Sequence, residues 1–390
     1  MEYERLYSRK VATIKPSGIR KFFDIVTQMQ GAISLGVGEP DFETPYLARR
    51  GAIDAIEMGK TFYTSNWGLM ELRREIARYM ERQFHVKYEP QDEIMVSVGG
   101  SEAIDNVIRS FVDVGDEVLI PEPCFVCYAP LVTMAGGTPV PLETRMEDEF
   151  RLRPDALEAA ITPRTKMLVL PYPNNPTGAV MERQDLEEIA RVLRKTDVLV
   201  LSDEIYAELT YSGPHTCFAD IPGMWERTFV VSGFSKAFAM TGWRLGYVCA
   251  PKGLVAPIVK IHQFGIMSAP TMSQFAGITA MQKCMDEVEH MREQYDLRRR
   301  YLLGELRSMG LSCFEPQGAF YMFPSIRSTG LSSEEFCERL LQEKKVAVVP
   351  GNAFGDCGEG HVRISYAYSM EHLKEAVKRM RAFIKDLKGQ

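Results

Sequence analysis

A chain of 390 residues with 45% hydrophobic and 25% charged positions has ordinary globular composition, and its length suits two or three domains with sizeable cores. The formal net charge of −6 gives no electrostatic reason to expect nucleic acid or an anionic membrane surface as a partner. The opening MEYERLYSRK is charged, unlike a signal peptide, and no apolar run approaches the roughly 18 residues that a membrane-spanning helix needs. Residues 1–45 carry little strand-like pattern and are expected to pack on the smaller of two lobes. From about residue 70, apolar runs alternate with amphipathic stretches. Strands are predicted at Glu93–Val98, Glu117–Ile120, Lys166–Leu170, Asp197–Leu201, Thr228–Val231 and Leu245–Cys249, with helices such as Glu102–Val112 and Gln184–Arg194 between them. Continuously apolar runs suit strands covered on both faces. The alternation predicts an α/β fold, a mostly parallel sheet flanked by helices.

Beyond residue 285 the texture changes. A long charged helix is predicted over Asp286–Met309, then strands at Ala319–Phe323, Ala347–Val349 and His361–Ser365, and helices at Ser333–Lys344 and Met370–Lys388. This reads as a smaller α+β domain. The expected division is 46–285 for the large domain, with 1–45 and 286–390 together forming the small one. Eight cysteines in a chain this long are sparse, and they read as reduced thiols of a cytoplasmic protein. Cys124 and Cys127 form a C-x-x-C pair, but no second pair or nearby histidine completes a zinc site, so no metal is expected.

Ligands of open α/β sheets sit beyond the carboxyl ends of the strands, and the chemically informative residues cluster there. Lys236 follows an apolar strand and a small-residue turn, Ser232-Gly-Phe-Ser, with Arg244 eight residues on. A partly desolvated lysine has a depressed pKa, so its neutral amine can add to a carbonyl. Asp203 and Tyr206 follow the strand VLVL; the carboxylate can hold a protonated ring nitrogen, or simply cap a turn. Asn175 lies in the turn Asn-Pro-Thr-Gly and offers an amide to the same crevice. Gly99-Gly100-Ser101-Glu102 runs from a strand end into a helix, where backbone N–H groups suit an anion such as phosphate. Arg363, on an otherwise apolar strand, needs a partner that a ligand carboxylate could supply.

Together these elements, with Gly36-Val-Gly38-Glu-Pro-Asp-Phe, Tyr63 and Pro350-Gly-Asn-Ala-Phe354-Gly, resemble a class I aminotransferase of the pyridoxal 5′-phosphate (PLP) fold-type I group. The resemblance covers essentially the whole chain. It is nearest the bacterial and archaeal aspartate/aromatic branch, which includes an acetyl-diaminopimelate aminotransferase type. It implies that Lys236 bonds covalently to the cofactor aldehyde and later moves the Cα proton, while Asp203 holds the pyridine nitrogen. It implies that Asn175 and Tyr206 bond the ring oxygen, and that Gly100, Ser101, Glu102, Arg244 and, less directly, Ser235 serve the phosphate end. Phe125 falls where the family stacks an aromatic ring on the cofactor. Arg363 would bind the substrate α-carboxylate with Asn175 and the backbone at Gly38. Tyr63 would reach the phosphate of a neighbouring subunit, which implies a homodimer. The implied reaction moves an amino group from an L-amino acid, aspartate, aromatic or similar, to a 2-oxo acid such as 2-oxoglutarate by a two-stage exchange.

Three positions depart from the family pattern. Phe125 stands where tyrosine or tryptophan is usual, Gly233 where some relatives have a phosphate-binding serine, and Trp67 where a proline-containing turn is common. A carbon–sulfur β-lyase on the same fold is the alternative reaction, since fold and cofactor do not fix reaction type. A regulator built on this domain would need a DNA-binding segment for which the chain leaves no room.

Overall fold

The computed structural model describes residues 3–14, 29 and 31–389. After a two-residue strand, β1 (Ile33–Ser34), come β2 (Ile94–Ser97), β3 (Glu117–Glu122), β4 (Thr138–Glu143), β5 (Thr165–Leu170), β6 (Leu199–Asp203), β7 (Thr228–Gly233) and β8 (Gly246–Cys249). Strands β2 to β8 form one sheet in the order β2-β8-β7-β6-β5-β3-β4. Strand β8 runs antiparallel to β2 and β7, and the remaining pairs are parallel. The inner strands are buried along their length, as continuous runs such as Met167-Leu-Val-Leu170 require when helices cover both faces.

The helix Gly100–Phe111 shows why the covering works. Ala103, Ile104, Val107 and Ile108 recur at helical spacing and point inward, burying one stripe against the sheet. The C-terminal helix Met370–Lys388 does the same with Leu373, Ala376, Val377, Met380, Phe383 and Ile384. Ser332 and Ser369 begin their helices by accepting from Glu335 N–H and His372 N–H, the preferred cap chemistry.

Strands β9 (Tyr321–Met322), β11 (Val349–Pro350) and β12 (Val362–Ser365) form a small antiparallel sheet, while β10 (Val346–Ala347) pairs in parallel with β1. The single strand predicted at 347–349 is therefore two pieces, because successive residue pairs serve different partners. Strand β4 has no predicted counterpart. Pro139 and Pro141 disguise it, yet prolines are tolerated on an edge strand, which is where β4 lies. Near the start of the chain, Lys10 Nζ donates to Met134 O, 3.1 Å away.

One glycine controls how the sheet meets the helix that opens at residue 100. A Cβ at Gly246, the first residue of β8, would lie 2.6 Å from Gly99 C and 2.7 Å from Gly100 N. Strand and helix start can approach this closely only without a side chain there. Gly246→Ala is expected to lower stability by about 1–3 kcal/mol through overpacking. Gly253→Ala, on a helix with nothing within 4 Å of the added Cβ, is expected to be neutral or stabilising. Urea unfolding midpoints of the two variants check the contrast.

Candidate active site

A cavity of about 360 Å³ opens beyond the carboxyl ends of the central strands, between the large sheet and the small antiparallel one. Of the residues singled out in the sequence, Gly38, Gly100, Ser101, Phe125 and Asn175 line it, as do Asp203, Tyr206, Ser235, Lys236, Arg244 and Arg363. Lys236 follows β7, and its Nζ donates to the carbonyl of Gly38. Burial lowers its pKa to about 8, with the cations of Arg363 and Arg244 acting in the same direction against Glu39 and Asp203. At pH 7 about a tenth of such an amine is uncharged and nucleophilic, far more than at the ordinary lysine value of about 10.4.

Asp203 ends β6 and is buried. Burial raises its pKa, opposed by the hydroxyl of Tyr128, which donates to Oδ2 at 2.7 Å, and by the Ile205 N–H, which donates to Oδ1 at 3.2 Å. Tyr206, one turn further on, is also buried, and burial lifts its pKa well above the ordinary value, so it keeps its proton. Its hydroxyl meets that of Tyr321 at 2.7 Å.

Arg363 on β12 is buried, and burial lowers its pKa without removing its charge. It donates to Asn175 Oδ1 at 2.9 Å and to the Gly36 carbonyl, and its guanidinium lies between the rings of Tyr321 and Phe354, 4.6 and 4.8 Å from their centres. Its Nε has no hydrogen-bond partner among the described residues. Asn175 is presented by a tight loop. Asn174 Oδ1 accepts from both N–H and hydroxyl of Thr177, and Gly178 has φ +73°, with Pro316 Cβ only 2.5 Å from where a Cβ would stand.

At the other end of the cavity, Gly99 (φ +80°) precedes the helix Gly100–Phe111. A side chain at Gly99 would strike the Arg244 guanidinium, 2.6 Å from its Cβ position. Free helix N–H groups and a cation thus share one small, exposed rim.

Two predicted residues lie elsewhere. Glu102 turns its carboxylate away from the cavity, accepting from Val98 N–H, Asn106 and His262, the last at 2.6 Å. Despite burial, the hydrogen bonds from His262 and Val98 hold its pKa below the usual carboxylate range. Its side chain anchors the helix start. Tyr63 is 83% exposed and does not line the cavity of its own chain. Cys124 and Cys127 are free, and burial pushes both thiols up, so neither is a ready thiolate.

Two residues that the sequence reading missed do reach the site, Tyr128 and Tyr321. Tyr128 lies three positions after Phe125 and one after the C-x-x-C pair, a signal masked by the cysteines. Tyr321 sits in the apolar run Ala319–Phe323 and looks like core.

The raised pKa of Asp203 has a stability consequence with a definite sign. A carboxyl whose folded pKa exceeds its unfolded value favours folding most when protonated, so its ionised form works against folding near neutrality. Asp203→Asn is therefore expected to stabilise the cofactor-free protein at pH 7, by about 0.5–2 kcal/mol. The gain should narrow as the pH falls through the carboxyl range, and thermal unfolding at a series of pH values checks it.

A family profile described as aminotransferase class I and II matches residues 30–380. The chain is 47% identical to an aspartate aminotransferase of Pyrococcus abyssi, with 98% of this chain and 99% of that protein covered. It is 44% identical to aromatic-amino-acid aminotransferase 2 of Thermococcus litoralis, with the same coverage of both. The solved structure of an aromatic aminotransferase from Pyrococcus horikoshii superimposes with a TM-score of 0.90 at 46% identity, over 94% of this chain and 99% of that one.

Proposed function

The chain belongs to the aminotransferase class I and II family and is a PLP-dependent aminotransferase, and from that premise we propose how its own residues divide the work. The residues fit the cofactor on three counts. A buried carboxylate, Asp203, is supported only by neutral donors and suits a protonated ring nitrogen. The side-chain-free approach at Gly99, the helix N–H groups and Arg244 suit a phosphate. An amine with its pKa lowered to about 8 suits addition to an aldehyde.

When bound, PLP supplies an electron sink for the negative charge left at the substrate Cα. The remaining roles fall to side chains. Arg363, with Asn175 beside it, fixes the α-carboxylate, and its unpartnered Nε offers a further donor. Lys236 Nζ removes the Cα proton and returns it on the product side. Asp203 keeps a proton on the ring nitrogen, Tyr206 donates to the ring oxygen, and Phe125 flanks the ring. Gly100, Ser101, Ser235 and Arg244 hold the phosphate. The observation that carries this reading is the convergence of Lys236, Asp203 and Arg363 on one cavity from distant parts of the chain.

We assign aspartate or an aromatic amino acid as donor, in line with what the relatives are named for, and propose 2-oxoglutarate as a suitable acceptor. The relatives reported above are transaminases, and none is a lyase. The division at 46–285 against 1–45 with 286–390 is retained as the domain proposal. A homodimer is supported by one exposed apolar face. Phe62, Tyr63 and Phe264 are 81%, 83% and 85% exposed, and Thr271 Oγ1 bonds Phe62 O while Asn66 bonds Met267 O, so these segments adjoin. A second copy covering that face would bring Tyr63 towards the neighbouring site. No described helix is long and apolar enough to cross a membrane, and eight unpaired thiols support a cytoplasmic setting.

Purified protein titrated with single amino acids, without 2-oxo acid, should lose its yellow absorbance while forming an equal amount of keto acid. Ammonia and pyruvate released from cysteine conjugates with the colour retained would instead support the lyase. Lys236→Ala should carry no covalently attached cofactor and should not transaminate; normal turnover would sink the assignment. Asp203→Asn should lose roughly 3–5 kcal/mol of transition-state stabilisation, on the order of a hundredfold or more in rate.

The lysine also sets a pH dependence. Neutral amine accumulates as pH rises through about 8, so colour return on adding PLP to cofactor-free protein should quicken up to that pH and then level. Stopped-flow absorbance measures it, and a midpoint near the ordinary lysine value of about 10.4 would show the amine is not activated.

A further inference from the structure

Tyr321 touches more of the site than any role above uses. It projects from β9 of the small sheet, and its hydroxyl is 2.7 Å from that of Tyr206, which belongs to the segment after β6 of the large sheet. Its ring carries the Arg363 guanidinium 4.6 Å from its centre. Its hydroxyl also occupies the space beside Gly38, where a Cβ would stand only 2.4 Å from it, and the Gly38 carbonyl is the acceptor for Lys236 Nζ. One buried side chain therefore adjoins the residues proposed for the ring oxygen, the substrate carboxylate and the proton transfer.

We infer that Tyr321 is a positioning residue: its hydroxyl holds the Tyr206 hydroxyl toward the cofactor's ring oxygen, while its ring supports the carboxylate-binding guanidinium of Arg363. In the Tyr206–Tyr321 pair either oxygen can be the donor. With an acceptor in the cavity, the Tyr206 proton turns to it and Tyr321 donates into the Tyr206 oxygen, so the two bonds polarise one another. The Arg363 guanidinium lies against the Tyr321 ring and favours donation from its hydroxyl; burial raises the pKa of both tyrosines and Arg363 lowers both. The charged groups around the two hydroxyls include Arg363, Lys236 and Asp203, and removing a hydroxyl alone deletes none of them.

This inference rests on the proposed roles of Tyr206 and Arg363, and the test separates the two levels. Wild type, Tyr321→Phe, Tyr206→Phe and the double variant are loaded with PLP, and the midpoint of their pH-dependent visible absorbance is measured beside kcat and KM. A weaker donor to the ring oxygen leaves that oxygen more basic, so Tyr321→Phe should raise the midpoint by about half a pH unit or more, the size of one neutral hydrogen bond. Its kcat should fall roughly three- to tenfold with KM little changed, because the ring under Arg363 remains. In the Tyr206→Phe background the same substitution should add nothing. If Tyr206→Phe shifts the midpoint and Tyr321→Phe does not, or if the two shifts add in the double variant, Tyr321 is not acting through Tyr206 and the inference falls. If Tyr206→Phe itself leaves the midpoint unmoved, the proposed role of Tyr206 fails first.

Discussion

Asp203 and Arg363 are buried charges of opposite sign on different sheets, and neither forms a side-chain ion pair among the described residues. A buried charge left to itself is costly, several kcal/mol even after relaxation. Both are held by neutral groups: a phenol and a backbone N–H for Asp203, an amide, a carbonyl and two aromatic faces for Arg363. Much of the local structure follows from that need. The Asn174–Gly178 loop presents an amide oxygen to Arg363, and the Gly36–Gly38 segment presents one carbonyl to Arg363 and another to Lys236. Because Asn175 follows β5 of the large sheet while Arg363 lies on β12 of the small one, supporting that charge also ties the two sheets together.

The strand end that carries Asp203 solves a second problem by alternation. Asp203 and Glu204 are consecutive, so their side chains take opposite sides. Asp203 lines the cavity. Glu204 is buried behind it, accepting from Ser202 Oγ and Phe218 N–H and meeting His215 Nε2 at 2.8 Å. On the neighbouring helix start Glu102 does similar work with His262. The reactive edge of the sheet is thus backed by two carboxylate–histidine contacts that a ligand never meets.

How much of this could be read from the sequence depended on range. The inner strands were legible because burial on both faces leaves continuous apolar runs, and the reactive lysine, carboxylate and arginine were legible because each stands just beyond or within such a run. Strand β4 was not, since its alternating prolines resemble a loop. The part played by Glu102 was hard to read because an acidic residue in a first helical turn looks the same whether it meets a ligand or anchors the helix. Its histidine partner is 160 positions away. Tyr128 and Tyr321 were overlooked for the same reason: their hydroxyl contacts span 75 and 115 positions, and an aromatic in an apolar run carries no local sign of such a contact. The small sheet was blurred because two-residue strands have almost no periodicity to detect.

The cavity gathers three cationic side chains, Lys236, Arg244 and Arg363, around a smaller acidic complement of Asp203 and Glu39. Burial and, after it, the two arginines lower the pKa of the lysine, as neighbouring cations do. Each anionic group that settles among them relieves part of that repulsion, and only the folded chain can offer the arrangement. A ligand confined to the folded state adds about 2.7 kcal/mol of stability at a hundred times its dissociation constant. A phosphorylated cofactor is then also a folding ligand. Filling the cavity therefore widens the margin by which the folded chain outweighs the unfolded one.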